Sequence, residues 1–333
     1  MSILITGGAG FIGSATAKVC AQAGRRVTVL DNLSTGRMDR VRWGAFCLGD
    51  IRNVEAVREV LRLNGVTTVV HLAAYANVGE SIAKPAEYYS NNVSGTTALL
   101  EAMLAENVRR IVFASSCSVY GNTASLRLRE DHDVQPMSPY GESKMIGERM
   151  LDWYGHAYGL QAIKLRYFNV AGADPEAGLG EDVETSLRIV PRALKAALRD
   201  VPLQLFGTDF DTVDGTAVRD YVHVRDVADA NLRAIEYLEG DRPNAVMNLG
   251  TGRGVSVRQI GAEVGQALGK PLQLQPHPRR EGDVPYAVAD AARAGELLGW
   301  RAAFSSLAEI VDSAVKHCHP PTLDPARPQP TGA

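Results

Sequence analysis

Apolar residues in the first half of the chain fall into short runs that stop at glycine or polar residues, with stretches of helical character between them. Ile3, Leu4 and Ile5 form the first run, of the kind a strand buried in a parallel sheet gives. It stops at glycines, and the small-residue stretch from Phe11 to Ala23, closed by Gly24, predicts a helix. Val27 to Leu30 is a second strand-like run and ends in Asp31. Ala45 to Leu48, Val66 to Leu72 and Arg109 to Ala114 repeat the strand pattern, with helices read over 54–64 and 85–106. Another helix opens at Pro139 and runs to Tyr158. This alternation predicts an α/β fold with a doubly wound parallel Rossmann sheet and a ligand outside the carboxyl ends of its strands. A smaller C-terminal α/β domain is expected over 171–318, after a first domain of 1–170 with returning segments near 218–250. The final stretch, 319–333, holds five prolines and reads as a disordered tail.

The first turn carries chemistry. Gly7, Gly10 and Gly13 follow a strand directly and open a helix. In that setting Gly7 permits the tight turn, Gly10 lets backbone N–H groups approach a pyrophosphate, and Gly13 lets helix and strand pack closely. Asp31 closes the next strand, where a carboxylate can accept from both ribose hydroxyls and repel a 2′-phosphate, so NAD is expected rather than NADP. The polar loop Asn32, Leu33, Ser34, Thr35, Gly36 follows and suits an adenosine. Asp50 has two readings, a partner for the adenine amino group or an N-cap for the helix after it.

Ser115 and Ser116 end a strand on the same sheet edge, and Tyr140 and Lys144 stand four apart on one helix face. A free phenol, with a pKa of about 10, is a poor base at neutral pH. A lysine cation within roughly 4–6 Å favours the phenolate, so Tyr140 is expected to be acidified by Lys144. It can then take a proton from a substrate hydroxyl while hydride leaves for NAD, with Ser116 hydrogen-bonded to the same oxygen.

Composition narrows this reading without redirecting it. The 333 residues are 45% hydrophobic and 22% charged, as globular domains are, and the net charge of −3 comes without a basic stripe for nucleic acid. The cysteines at 20, 47, 117 and 318 lack metal or redox spacing, so no metal is expected and reduced thiols in the cytoplasm are the simplest reading. No apolar run approaches the length of a membrane span, so no membrane partner is expected.

The motifs GGAGFIG (7–13), DNLSTG (31–36), GDIRN (49–53), HLAAYANVGES (71–81), NNVSGT (91–96), SSCSVYG (115–121) and SPYGESK (138–144) occur in order. LRYFNVAGA (165–173), the run LQLFGTDFDTVDGTAVRDYVHVRDVADA (203–230), NLGTG (248–252) and RREGD (279–283) follow. Together they resemble the extended short-chain dehydrogenase/reductase superfamily, and within it the UDP-glucose 4-epimerase family. The resemblance implies bound NAD, a 4-keto sugar intermediate, and return of hydride to the opposite face with no net oxidation. It also implies a cofactor site of Gly7, Gly10, Phe11, Ile12, Gly13, Asp31, Asn32, Ser34, Thr35, Gly36, Asp50, Ile51, Leu72, Ala73, Ala74, Tyr75, Asn91, Ser115, Tyr140, Lys144, Tyr167 and Phe168. Catalysis is implied for Ser116, Tyr140 and Lys144. For the UDP-sugar, Asn169, Arg219 and Arg280 are implied at the phosphates, Asp283 at the uridine ribose and Phe206 near the uracil. Tyr221 has two readings, substrate contact or core packing.

His71, His223, Asp226, Ser256 and Trp300 read as structural, with Asp226 and Ser256 as helix caps. The chain departs from the family near Ala76, where some members carry a lysine that reaches the cofactor, and at Arg188, where others place His or Asn. The resemblance also implies that Ala287 stands at a gate beside the sugar 2-position, where its small side chain predicts acceptance of UDP-N-acetylglucosamine. UDP-pentose or UDP-uronate 4-epimerases would keep almost every motif. A 4,6-dehydratase would need an acid pair where this chain has Cys117 and Ser118. A catalytically silent NAD-binding subunit is a further alternative, though Tyr140 and Lys144 both persist. A homodimer through the helices at 85–106 and 139–158 is expected.

Overall fold

The computed structural model describes residues 1–123, 125–280 and 282–318, so the proline-rich tail lies outside the described residues. In chain order the strands are β1 (Ser2–Thr6), β2 (Arg26–Asp31), β3 (Ala45–Leu48), β4 (Thr68–His71), β5 (Arg110–Ser116), β6 (Gln161–Tyr167) and β7 (Asn169–Ala171). They continue as β8 (Leu203–Phe206), β9 (Val218–His223), β10 (Ala245–Leu249), β11 (Gly254–Ser256), β12 (Leu274–His277) and β13 (Tyr286–Ala287).

Seven strands form one parallel sheet ordered β10-β6-β5-β4-β1-β2-β3. Strand order reverses at β1, between β2 and β4, which opens the crevice that doubly wound sheets use for ligands. Side chains alternate along each strand, so the apolar runs feed two cores. Ile3, Ile5 and Val29 pack with the helices Phe11–Gln22 and Val224–Glu239. Leu4, Val69, Ile111 and Phe113 face the helices Val54–Leu63, Gly95–Ala105 and Pro139–Tyr158. Each fully buried Leu, Ile or Phe contributes about 1.5–3 kcal/mol, which outweighs helix propensity in docking these helices.

The helix Pro139–Tyr158 spans the range read from sequence, because local signals fix both ends. The Ser138 hydroxyl accepts from the Gly141 N–H, Pro139 takes the first position, and Gly159 ends the helix at φ +70°. The stretch read as one helix over 85–106 is instead Pro85–Tyr88, a π-helical turn Tyr89–Ser94, and Gly95–Ala105. A short helix Val78–Ala83 precedes it, unforeseen in the sequence. The wide turn buries Asn91 and Asn92, whose amides hydrogen-bond each other.

The second half adds a smaller sheet in which β9 pairs with β7, β11 and β13, and a two-stranded piece, β8 with β12. Helices Ile189–Arg199, Val257–Ala267 and Leu307–Cys318 close a third core around Leu194, Leu203, Ile260 and Ile310. Ser256 caps its helix through a reciprocal box with Gln259. Asp226 does not cap: His223 is the N-cap, and the Asp226 carboxylate accepts from the N–H groups of Ala303 and Phe304, tying down the C-terminal loop. Trp300 is buried and donates to the Asp226 carbonyl.

Candidate active site

A cleft of about 1290 Å³ runs along the carboxyl ends of β1, β2, β4, β5 and β6 and continues under the smaller sheet. Gly7 sits at φ +71°, where a Cβ would lie 2.6 Å from the Ala73 nitrogen. A Cβ on Gly13 would stand 2.2 Å from the Gly7 oxygen, whereas one on Gly10 would meet only that oxygen, at 3.1 Å, and otherwise point into free space. Gly10 is also the N-cap of the first helix and offers no side chain, so the helix presents uncapped N–H groups at the cleft. Asp31 is buried at the cleft wall; one carboxylate oxygen accepts from Ala9 N–H (3.0 Å), the other from Leu33 N–H (2.8 Å). A carboxylate has about four acceptor positions, so these two bonds fix its orientation and leave capacity for a ligand.

Two residues expected at the cofactor do not line the cleft. Gly36 packs behind Asp31, where a Cβ would stand 2.7 Å from its carboxylate oxygen. Asp50 is held in a pair with Arg52, which keeps its carboxyl well below the ordinary range, and it also accepts from Asn32. It is not a helix cap either, since Asn53 takes that position by accepting from Ala56 N–H. The other expected cofactor residues, from Gly7 through Asn91 to Phe168, all line the cleft.

Ser116, Tyr140 and Lys144 meet at the end of β5. The strand extends two residues beyond its expected end and so carries both serines. Ser116 Oγ accepts from Ser118 N–H at 3.1 Å. The Asn92 amide, delivered by the π-helical turn, bonds the Tyr75 backbone on one side and the Ser143 hydroxyl on the other, and Ser143 donates to the Tyr140 carbonyl. Lys144 is buried, and its ammonium donates to the Ala114 carbonyl at 2.8 Å and lies 5.1 Å from the Phe113 ring centre.

The expected acidification of Tyr140 by Lys144 is not found in the protein alone. Burial pushes the phenol up, and the opposing influences are the Ser116 hydroxyl and the Arg188 guanidinium. The ammonium is turned to a backbone carbonyl, and burial brings it down to about 8 against an opposing pull from Glu148.

On the far side Asn169, Arg188, Phe206, Arg219, Tyr221, Arg280, Asp283 and Ala287 line the same cleft. Tyr221 does both things read for it, being 4% exposed in the core yet lining the cleft. The Arg219 guanidinium donates to the Val284 carbonyl (2.7 Å) and lies 3.5 Å from the Asp283 carboxylate. Arg280 stands 3.9 Å from the Phe206 ring centre. Arg192, missed in the sequence, lies 5.2 Å from the same ring and lines the cleft. Its spacing of four from Arg188 at the start of one helix was the available signal.

The residues fit a dinucleotide followed by a second diphosphate. The uncapped helix end and the space over Gly10 suit one pyrophosphate, Asp31 a ribose, and Arg219 with Arg280 a second pyrophosphate.

Residues 3–250 match the model of the NAD dependent epimerase/dehydratase family. The chain is 43% identical over 314 residues to the UDP-glucose 4-epimerase of Rhizobium meliloti, covering 94% of this chain and 95% of that protein. Among solved structures, the UDP-glucose 4-epimerase of Brucella ovis in complex with NAD superposes with a TM-score of 0.91 at 43% identity, over 95% of this chain and 98% of the other. The Bifidobacterium longum enzyme in complex with NAD+ and UDP gives 0.90 at 34% identity, over 96% and 98%.

Proposed function

The chain belongs to the NAD dependent epimerase/dehydratase family, and on that premise we propose that it interconverts UDP-glucose and UDP-galactose by inverting C4 through a 4-keto intermediate. The observation that carries this is the convergence in one cleft of a dinucleotide turn, the Ser116–Tyr140–Lys144 cluster and the arginines around Phe206. Held by the glycine turn and Asp31, bound NAD would supply the acceptor and donor for the C4 hydride.

The protein does the rest. Tyr140 takes the C4 hydroxyl proton and later gives it back, and Ser116 steadies the same oxygen. Arg219 and Arg280 hold the diphosphate while the sugar turns over, and Asn169 at the start of β7 adds a further contact. Burial, which raises the phenol's pKa in the protein alone, makes its deprotonation depend on positive charge at the cleft. This ties proton removal to a filled site.

Ala287, beside Arg219's strand and 7% exposed, leaves room at the sugar 2-position, so UDP-N-acetylglucosamine is accepted as well. Two copies pair through the helices Gly95–Ala105 and Pro139–Tyr158, on which Trp153 is 71% exposed. The free thiols of Cys20, Cys47, Cys117 and Cys318 fit the cytoplasm as compartment. The deciding assay is conversion of UDP-galactose by purified protein without added NAD. Turnover supports the reading, and its absence from NAD-loaded protein refutes it.

A further inference from the structure

Glu148 follows Lys144 by one helical turn and lies outside every motif that marks the site. Its carboxylate is among the most thoroughly engaged in the molecule. Arg166 donates to both oxygens, from Nε at 2.9 Å and from Nη2 at 2.7 Å, and the Ser115 hydroxyl donates as well. The pair is 5% and 7% exposed at its side chains. Ser115 and Arg166 are register partners across β5 and β6, so one carboxylate spans both strands at a single rung. The Lys144 ammonium bonds the preceding carbonyl of β5, that of Ala114. Ser116 and Tyr167, the next rung, are cleft residues.

We propose that Glu148 is a positioning residue for the acid–base pair, fastening the Tyr140–Lys144 helix to the β5–β6 rung and placing a carboxylate one helical turn from the Lys144 ammonium. The inference rests on the reading of Tyr140 and Lys144 as catalytic. Fastening alone does not call for a charge: a buried ion pair bears a desolvation cost that apolar packing of similar volume avoids. The charge acts at Lys144. Among the described residues, β5 brings the ammonium the Ala114 carbonyl and the Phe113 ring, β4 the His71 imidazole, which burial brings down to about 3 and keeps neutral, and β6 the Arg166 cation, paired to Glu148. On its own helix stand Tyr140, a neutral phenol in the protein alone, and Glu148. Burial lowers Lys144 to about 8, and the Glu148 carboxylate is the group that opposes it.

The test is the pH profile of UDP-galactose turnover by NAD-loaded enzyme. Wild-type kcat should fall on the alkaline side as Lys144 loses its proton. In Glu148→Gln, which keeps the shape and an acceptor, this limb should move about one unit toward lower pH, with kcat at pH 9 down about tenfold and KM unchanged. Glu148→Asp, which keeps the charge, should restore the limb. An unmoved limb in Glu148→Gln with folded, NAD-loaded protein overturns the inference, as does a loss of kcat that is the same at every pH. Should Glu148→Gln leave Arg166 unpaired and fail to fold, the double variant Glu148→Gln with Arg166→Met removes both charges of the pair and should displace the limb in the same direction by a smaller amount, an unmoved limb again overturning the inference. A wild-type enzyme inert on UDP-galactose would instead count against the function itself.

Discussion

Lys144 donates to the carbonyl of Ala114 at 2.8 Å, and this bond fixes the ammonium one residue before the serines that end β5. The lysine is therefore held at a fixed post on the strand, and in the proposed mechanism the phenol is the group that meets substrate. Tyr140→Phe should lower kcat by about 10²–10⁴-fold, the usual worth of a general acid–base, with UDP-sugar affinity nearly unchanged. Turnover of UDP-galactose and a binding isotherm with UDP measure the two. A variant that retains more than a tenth of wild-type kcat would remove Tyr140 from its role.

The glycine turn makes a paired prediction. Gly13→Ala places a Cβ 2.2 Å from the Gly7 oxygen and 2.7 Å from the Gly8 Cα, so the turn itself must shift and melting temperature should fall. Gly10→Ala meets only the Gly7 oxygen at 3.1 Å, so it should fold nearly as well while its methyl invades the space over the helix end. With NAD stripped from all three proteins, Gly10→Ala should melt as the wild type does and Gly13→Ala below it, and both variants should carry less NAD as purified. NAD released on denaturation and a thermal melt read them out.

Acid should destabilise the fold through two buried histidines. The Thr96 hydroxyl spends its proton on the Asn92 carbonyl, so His71 Nε2 donates to Thr96 and Nδ1 accepts from Thr6. That tautomer is neutral, and burial holds His71 at about 3 and His223 at about 4. Both lie below the unfolded value of about 6.5. Between those limits the unfolded chain binds more protons, so the stability these groups contribute is full above about pH 6.5 and is lost as pH falls toward 4 and 3. The loss is at most about 1.4 kcal/mol per pH unit for each histidine. Melts from pH 7 to pH 4 should show a falling Tm, and His223→Asn should flatten the slope; a flat profile in the wild type would contradict this.

Ala287 tests substrate breadth. Ala287→Tyr should leave UDP-galactose turnover within a few fold and reduce kcat/KM for UDP-N-acetylgalactosamine by about tenfold or more, since steric overfilling costs about 1–3 kcal/mol. Equal losses on both sugars would place the residue away from the 2-position.

Much of this protein is written locally. The strand–turn–helix at the N-terminus, Asp31 at the end of β2 and the helix Pro139–Tyr158 follow from signals within a few residues of each other, because φ/ψ needs, caps and i,i+4 spacing are short-range properties. Sequence alone therefore determined the parallel sheet and most of the cleft's walls. What only the tertiary structure decided is which distant side chains meet: Arg192 with Phe206, Glu148 with Arg166 and Ser115, and Asp226 with the loop at Ala303. It decided, too, that Lys144 faces a carbonyl and that Tyr140 is pushed up by burial. Strand order and loop paths set those encounters, and desolvation depends on everything that surrounds a group, so neither can be read from spacing along the chain.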